Sequence, residues 1–221
     1  MFRKLKKKYN NFLKKKFLIT KIEGDSLEYE ILDSAVKQLS NPIGSSFEVG
    51  VRRGMGSKKI IDAYRKYHPN IKDLVHIGLD PYGDLPYTFS EDRKNTSDAD
   101  YTNLMKRETL INFLKKYEEF NFVNLDTYEF FKRFSDGYPI YSSKKKIIDK
   151  FEIVHFDGLH DLENVTLEVN FFLKHLCSQT IFIFDDIDSY DQKKINEILF
   201  KNDFKILEYG KRKASFEYSK L

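Results

Sequence analysis

The stretch FEVGVRRGMGSKKIIDAYRKYH, residues 47–68, decides the fold. It opens as a short apolar strand and closes as a helix, SKKIIDAYRKYH. Between them lie Gly50, Gly54 and Gly56, followed by Ser57. Glycines let the backbone turn sharply and approach a ligand, and a helix start offers N–H groups without intrahelical partners. Strand, glycine turn and helix in this order make one βα unit of an open sheet.

The pattern continues downstream. LVHIGLD (74–80), FNFVNLD (120–126), FEIVHFD (151–157) and TIFIFDD (180–186) read as further strands. DYTNLMKRETLINFLKKYEEF (100–120), DLENVTLEVNFFLKHL (161–176) and DQKKINEILFKN (191–202) read as helices between or after them. The C-terminal FKILEYGKRKASFEYSKL (204–221) is two strands around Gly210-Lys211-Arg212-Lys213, a hairpin signature. Alternating βα units predict an α/β fold with a mainly parallel, seven-stranded sheet, helices on both faces and an antiparallel C-terminal hairpin. Polar stretches at 81–100 and 135–146 follow strands on the side where open α/β sheets bind ligands.

Upstream, SLEYEILDSAVKQLS (26–40) predicts a helix ended by Asn41, Pro42 and Gly44. Residues 1–17, MFRKLKKKYNNFLKKKF, hold eight Lys or Arg and no acid. The whole chain of 221 residues carries a net charge of +4, so the remainder is net acidic. Such a body is not a nucleic-acid surface. Phe2, Leu5, Tyr9, Phe12 and Leu13 recur at helical spacing within the arm. Residues 1–44 are accordingly assigned to a basic amphipathic helical extension and 45–221 to the α/β domain. The arm has three readings: packing on its own domain, contact with an anionic membrane surface, or a dimer or partner contact. No apolar run reaches membrane-spanning length, and the N-terminus is too charged for a secretory signal. Cys177 is the single cysteine, which excludes an internal disulfide and fits the cytoplasm, with the membrane periphery open through the arm.

The glycine spacing excludes the dinucleotide and P-loop fingerprints. What stands instead is Glu48-x-Gly50-x-x-x-Gly54-x-Gly56-Ser57, which resembles motif I of the class I S-adenosylmethionine-dependent methyltransferases, a Rossmann-like, doubly wound family. The resemblance implies that Glu48, Gly50, Gly54, Gly56 and Ser57 form the methionine side of a cofactor site. It further implies an acid for the ribose diol at the end of the next strand, and Asp80 stands there, 30 residues after Gly50. A carboxylate suits a diol because its two oxygens accept two parallel hydrogen bonds. By the same analogy Asp126 and Thr127 lie beside the adenine.

The fourth and fifth strands end in Asp157 and in Asp185-Asp186. Carboxylates brought together repel unless a cation or protons intervene. Oxygen donors suit Mg²⁺, with Mn²⁺ or Ca²⁺ as substitutes, and the alternative is that these acids cap a helix or line the cleft without metal. The 28-residue spacing from Asp157 to Asp185 resembles the cation-dependent O-methyltransferases, those of macrolide and aminocoumarin sugars and, more distantly, of catechols. The segment FDGLHDLENV departs from the usual Asp-Gly-Asp-His at Leu159, and CSQT replaces a Gly-Gly before the fifth strand. The resemblance implies a small-molecule acceptor, with a sugar hydroxyl in first place, and His160 or Asp161 as the base beside Asp157. A nucleic-acid methyltransferase and a non-catalytic scaffold of the same fold are the competing readings.

Overall fold

The computed structural model describes residues 22, 24, 26–83, 87–88, 96–97, 102–141 and 144–219; the basic arm and its expected amphipathic helix lie outside them. In chain order the elements are α1 (Glu30–Gln38), β1 (Ser45–Val49), α2 (Met55–Tyr67), β2 (Val75–Leu79), β3 (Tyr87–Thr88), β4 (Thr96–Ser97), α3 (Asn103–Leu114) and β5 (Phe120–Val123). They continue with α4 (Thr127–Arg133), β6 (Tyr138–Tyr141), β7 (Lys145–Ile148), β8 (Phe151–Phe156), α5 (Leu162–Phe172), β9 (Leu176–Phe184), α6 (Gln192–Lys201), β10 (Phe204–Tyr209) and β11 (Ala214–Tyr218).

Seven strands form one sheet in the order β10-β11-β9-β8-β1-β2-β5. Neighbours from β9 to β5 are parallel, and β11 and β10 are antiparallel. The expected sheet and terminal hairpin are therefore present. Two short antiparallel pairs, β3-β4 and β6-β7, fall in the segments read from sequence as polar loops. β7 alternates between exposed and half-buried residues and β6 buries only Ile140, so the pair carries little apolar periodicity to read.

The parallel strands β1, β2 and β8 are buried on both faces, which is why they read as nearly continuous apolar runs. Alternation splits β9: Phe182 and Phe184 join a core with Phe47, Phe172, Val165, Val169, Ile195 and Leu199, while Ile181 and Ile183 join α1 and α2 through Ile31, Leu32, Val36, Ile60 and Tyr64. The first core is mostly aromatic. Phe172 stands 4.9 Å from Phe47, 5.6 Å from Phe151 and 5.8 Å from Phe156, ring centre to ring centre. Helix α1, grouped with the arm from sequence, packs as an integral layer of this unit: Leu32 and Val36 are fully buried.

The ladder continues one residue past each parallel strand. Gly50 N–H donates to Leu79 O at 2.9 Å, Asp80 N–H to Val123 O at 3.1 Å, Asp157 N–H to Val49 O at 2.9 Å and Asp185 N–H to Phe156 O at 3.0 Å. These bonds fix the strand-end acids along one edge, at the point where strand order reverses between β1 and β8. Truncating Phe172 to Ala should cost about 3–5 kcal/mol in chemical denaturation. A loss below about 1 kcal/mol would show that the aromatic core does not hold the sheet to α5.

Candidate functional site

Glu48 ends β1 pointing under α2 and is 1% exposed. An isolated buried carboxylate is costly, so its partners matter. The Ser57 hydroxyl donates to Oε2, and His155 Nδ1 lies 2.9 Å from Oε1. His76 Nε2 lies 2.9 Å from Ser57 Oγ, and His76 Nδ1 lies 2.9 Å from Ser46 Oγ. The chain of bonds is self-consistent: Ser57 donates to the carboxylate and receives from His76. Burial works against the Glu48 charge, but hydrogen bonds from His155 and His76 hold its pKa at about 2. Burial also lowers the pKa of His155, keeping it a neutral donor.

Two glycines permit this arrangement. A Cβ on Gly56 would collide with the Glu48 carboxylate and press on His155 Nδ1, so α2 can seat on Glu48 only with glycine there. Gly50, at φ +81°, brings the end of β1 onto the backbone of Asp157 and Gly158, which leaves no room for a side chain. The structure thus brings Glu48, Gly50, Gly56 and Ser57 together as expected, with Glu48 and Ser57 spent on internal bonds.

Asp80 is buried at the end of β2. Its Oδ2 accepts from Val51 N–H at 3.0 Å and Arg52 N–H at 2.8 Å, and its Oδ1 from Tyr82 N–H at 3.0 Å. Burial pushes its pKa up to about 6 against these bonds. It therefore ties the glycine loop to β2 and keeps one acceptor position of a carboxylate's four for another donor. Asp126 caps α4, accepting from Glu129 N–H at 2.7 Å, and Thr127 donates to Glu168 Oε1 at 3.3 Å. Glu168 Oε2 is buried with no hydrogen-bond partner, and burial raises its pKa to about 8. A protonated Glu168 beside Thr127 is an unmatched donor near the ends of β5 and β8, and that fits a nitrogen-bearing ligand such as adenine in kind. The sequence carried the signal: Glu168 sits on the apolar face of α5 with Val165, Val169 and Phe172.

Around Asp157 the expected groups meet, with partners the sequence did not suggest. His160 Nε2 lies 3.5 Å from Asp186 and 3.9 Å from Asp157, and burial lowers its pKa, leaving a neutral imidazole. Asp161 caps α5, with Oδ1 2.9 Å from Asn164 N and Oδ2 2.7 Å from Asn164 Nδ2, so it faces the helix start. Asp185 Oδ2 lies 2.7 Å from Lys213 Nζ, both fully buried, and Asp186 pairs with Arg212. Burial opposes the Asp185 charge, yet the Lys213 ammonium outweighs it and holds the carboxyl well below its usual range. Burial and the adjacent Asp185 charge push the Asp157 carboxyl well above its usual range. Among the described residues, the three side chains near enough to share a metal are Glu48, His155 and Asp157, not the expected Asp157, Asp185 and Asp186. Within that trio Glu48 and His155 are already bonded to each other. A cavity of about 290 Å³ lined by Tyr64, His68, Ile71, Leu74 and Glu119 lies at the opposite edge, where β2 and β5 begin.

Glu168 generates a pH prediction. Its pKa is about 8 in the fold against 4.5 for an ordinary glutamate, so between these values the folded chain keeps a proton that the unfolded chain releases. Its contribution to stability is thus complete below 4.5 and lost as pH rises to about 8, by a few kcal/mol. In Glu168→Gln that loss is absent. Melting curves should show the variant gaining on the wild type from about pH 5 to about pH 8.5. A gap independent of pH would place Glu168 in contact with water or a counter-ion.

No family model matches the chain, and no curated protein matches it. Solved structures do. CalS11, a calicheamicin methyltransferase, is 15% identical, with a TM-score of 0.57 over 87% of this chain and 77% of that one. The apo form of CalS11, a TDP-rhamnose 3'-O-methyltransferase, gives a TM-score of 0.54 over 88% of this chain and 79% of that one, at 15% identity. A proposed caffeoyl-CoA O-methyltransferase from Staphylococcus aureus is 10% identical, with a TM-score of 0.58 over 98% of this chain and 100% of that one. At these identities the likeness is one of architecture, and the chain has the α/β fold on which these S-adenosylmethionine-dependent methyltransferases are built.

Proposed function

We propose that this chain is an S-adenosylmethionine-dependent O-methyltransferase acting on a hydroxyl of a small molecule. The observation that carries the reading is the convergence, on one sheet edge, of the glycine loop 50–54, the buried Asp80 that braces it, and the neutral imidazole of His160. S-adenosylmethionine, when bound, supplies a methyl group already activated on a sulfonium. The chain's own tasks are then to orient the acceptor and to take its proton. Asp80, through its remaining acceptor position, and the backbone of the glycine loop would hold the cofactor, and Glu168 and Thr127 would offer polar atoms on its adenine side. His160 Nε2 accepts the hydroxyl proton, and the Asp186 carboxylate beside it stabilises the imidazolium that results. Asp161 is committed to capping α5, which leaves His160 as the base.

A sugar is the acceptor class favoured here, because CalS11, a TDP-rhamnose 3'-O-methyltransferase, shares the architecture. The magnesium implied by the resemblance would have to be held by Asp157, Asp185 and Asp186. Their present partners do not fit that role, so no step is assigned to a metal.

Isothermal titration of the full chain with S-adenosylhomocysteine should give saturable binding, lost in Asp80→Ala. His160→Gln should bind within about twofold of wild type but transfer labelled methyl to sugar or phenol acceptors about 10²–10⁴ times more slowly. An intact chain that binds no S-adenosylhomocysteine would leave the scaffold reading standing. Full activity in His160→Gln would move the base elsewhere.

A further inference from the structure

The strand-end carboxylates are neutralised from within the chain. Lys213 Nζ sits 2.7 Å from Asp185 Oδ2, and Arg212 pairs with Asp186. Asp185 Oδ1 accepts from Asp186 N–H at 2.8 Å, so both of its oxygens are used. Both cations come from the turn between β10 and β11. We propose that Lys213 occupies the position of a divalent cation, so that this carboxylate cluster binds no metal and works without one.

The lysine cannot swing aside for an ion. It is fully buried, its ammonium lies 3.2 Å from Ser26 Oγ and 5.5 Å from the Tyr29 ring centre, and its backbone is held as well. Glu28 accepts three consecutive N–H groups: Lys211 at 2.9 Å, Arg212 at 3.0 Å and Lys213 at 3.0 Å. Gly210 completes the grip, since a Cβ there would collide with the Glu28 carboxylate. On the far side, Ile187 N–H donates to Arg212 O at 3.0 Å, tying the turn to the segment that follows β9. Residues 26–29 therefore form a strap that presses two cations onto the end of β9. A hard divalent ion needs several free oxygens and would meet two positive charges a few ångströms away. The donor set is wrong in number and the local field is wrong in sign.

Electron paramagnetic resonance of Mn²⁺ mixed with full-length, chelator-stripped protein tests this directly. Wild type should leave the free Mn²⁺ signal undiminished, and Mg²⁺ should not shift its melting temperature. Lys213→Met, which removes the charge and keeps much of the volume, should bind Mn²⁺ at least about tenfold more tightly than wild type. It should also gain a metal-dependent rise in melting temperature. Stoichiometric Mn²⁺ binding by wild type, lost in Asp185→Asn, overturns the proposal even if Lys213→Met does not fold. A folded Lys213→Met that gains no Mn²⁺ binding overturns the role given to the lysine. None of these readouts uses methyl transfer, so failure of the proposed activity would leave the result intact.

Discussion

The buried Glu48 carboxylate is the constraint on which the strand-end edge depends. It stands on β1 and is bonded to His155 on β8 and Ser57 on α2, with His76 on β2 one bond further along. Three neighbouring strands and helix α2 are thus registered by one anion. A buried charge would ordinarily be neutralised or expelled, and here a connected set of donors keeps it ionised. The need for donors explains the glycine at position 56: any side chain there would push α2 off the carboxylate and break the set. The glycine loop is therefore shaped from beneath by packing as well as from above by any ligand. Substitutions at Glu48 or Gly56 carry information about folding before they carry information about cofactor binding.

A second cluster lies beside it, at the ends of β8 and β9, and obeys different arithmetic. Asp157, Asp185 and Asp186 lie close together where water is scarce, and mutual repulsion has to be relieved. The Lys213 ammonium and the Arg212 guanidinium relieve it, and the repulsion that is left raises the pKa of Asp157. Asp186 takes a left-handed backbone, φ +47°, a conformation aspartate tolerates better than most residues, and this turns it toward Arg212 and His160. His160 consequently faces carboxylates that favour its protonated form, while burial favours its neutral form. That balance is the one the base role proposed for His160 requires.

Sequence periodicity revealed the parallel strands and the terminal hairpin because both faces of those strands are apolar and the turn residues are distinctive. It also placed the strand-end acids, since each closes an apolar run. It missed β6-β7, in which only Ile140 is buried. Asp126 was legible as a strand-end acid, with no helix read after it, and Asp161 as a residue at a helix start; the distances to Glu129 and Asn164 show both as caps. Lys213 and Arg212 were legible only as members of a charged turn. Nothing local marks a lysine as buried when its partners, Asp185 and Ser26, stand 28 and 187 residues away.

The strap changes how the N-terminal region relates to the domain. Composition sets a basic arm, acid-free over residues 1–17, against a net acidic remainder, and the helix-ending Asn41, Pro42 and Gly44 suggest a boundary near residue 44. The packing runs the other way: α1 buries Leu32 and Val36 against α2 and β9, and Glu28 adopts a left-handed backbone, φ +58°, with its carboxylate on the far hairpin. Strain of that kind persists only where surrounding contacts compensate for it, and here three N–H bonds do so. Residues 26–44 are thus a working part of the site edge, and the compact unit starts with the strap. Shortening the chain to residue 45 would remove the group that aims Lys213 at Asp185. The two halves of the charge cluster would then lose their register, although every strand of the sheet remained.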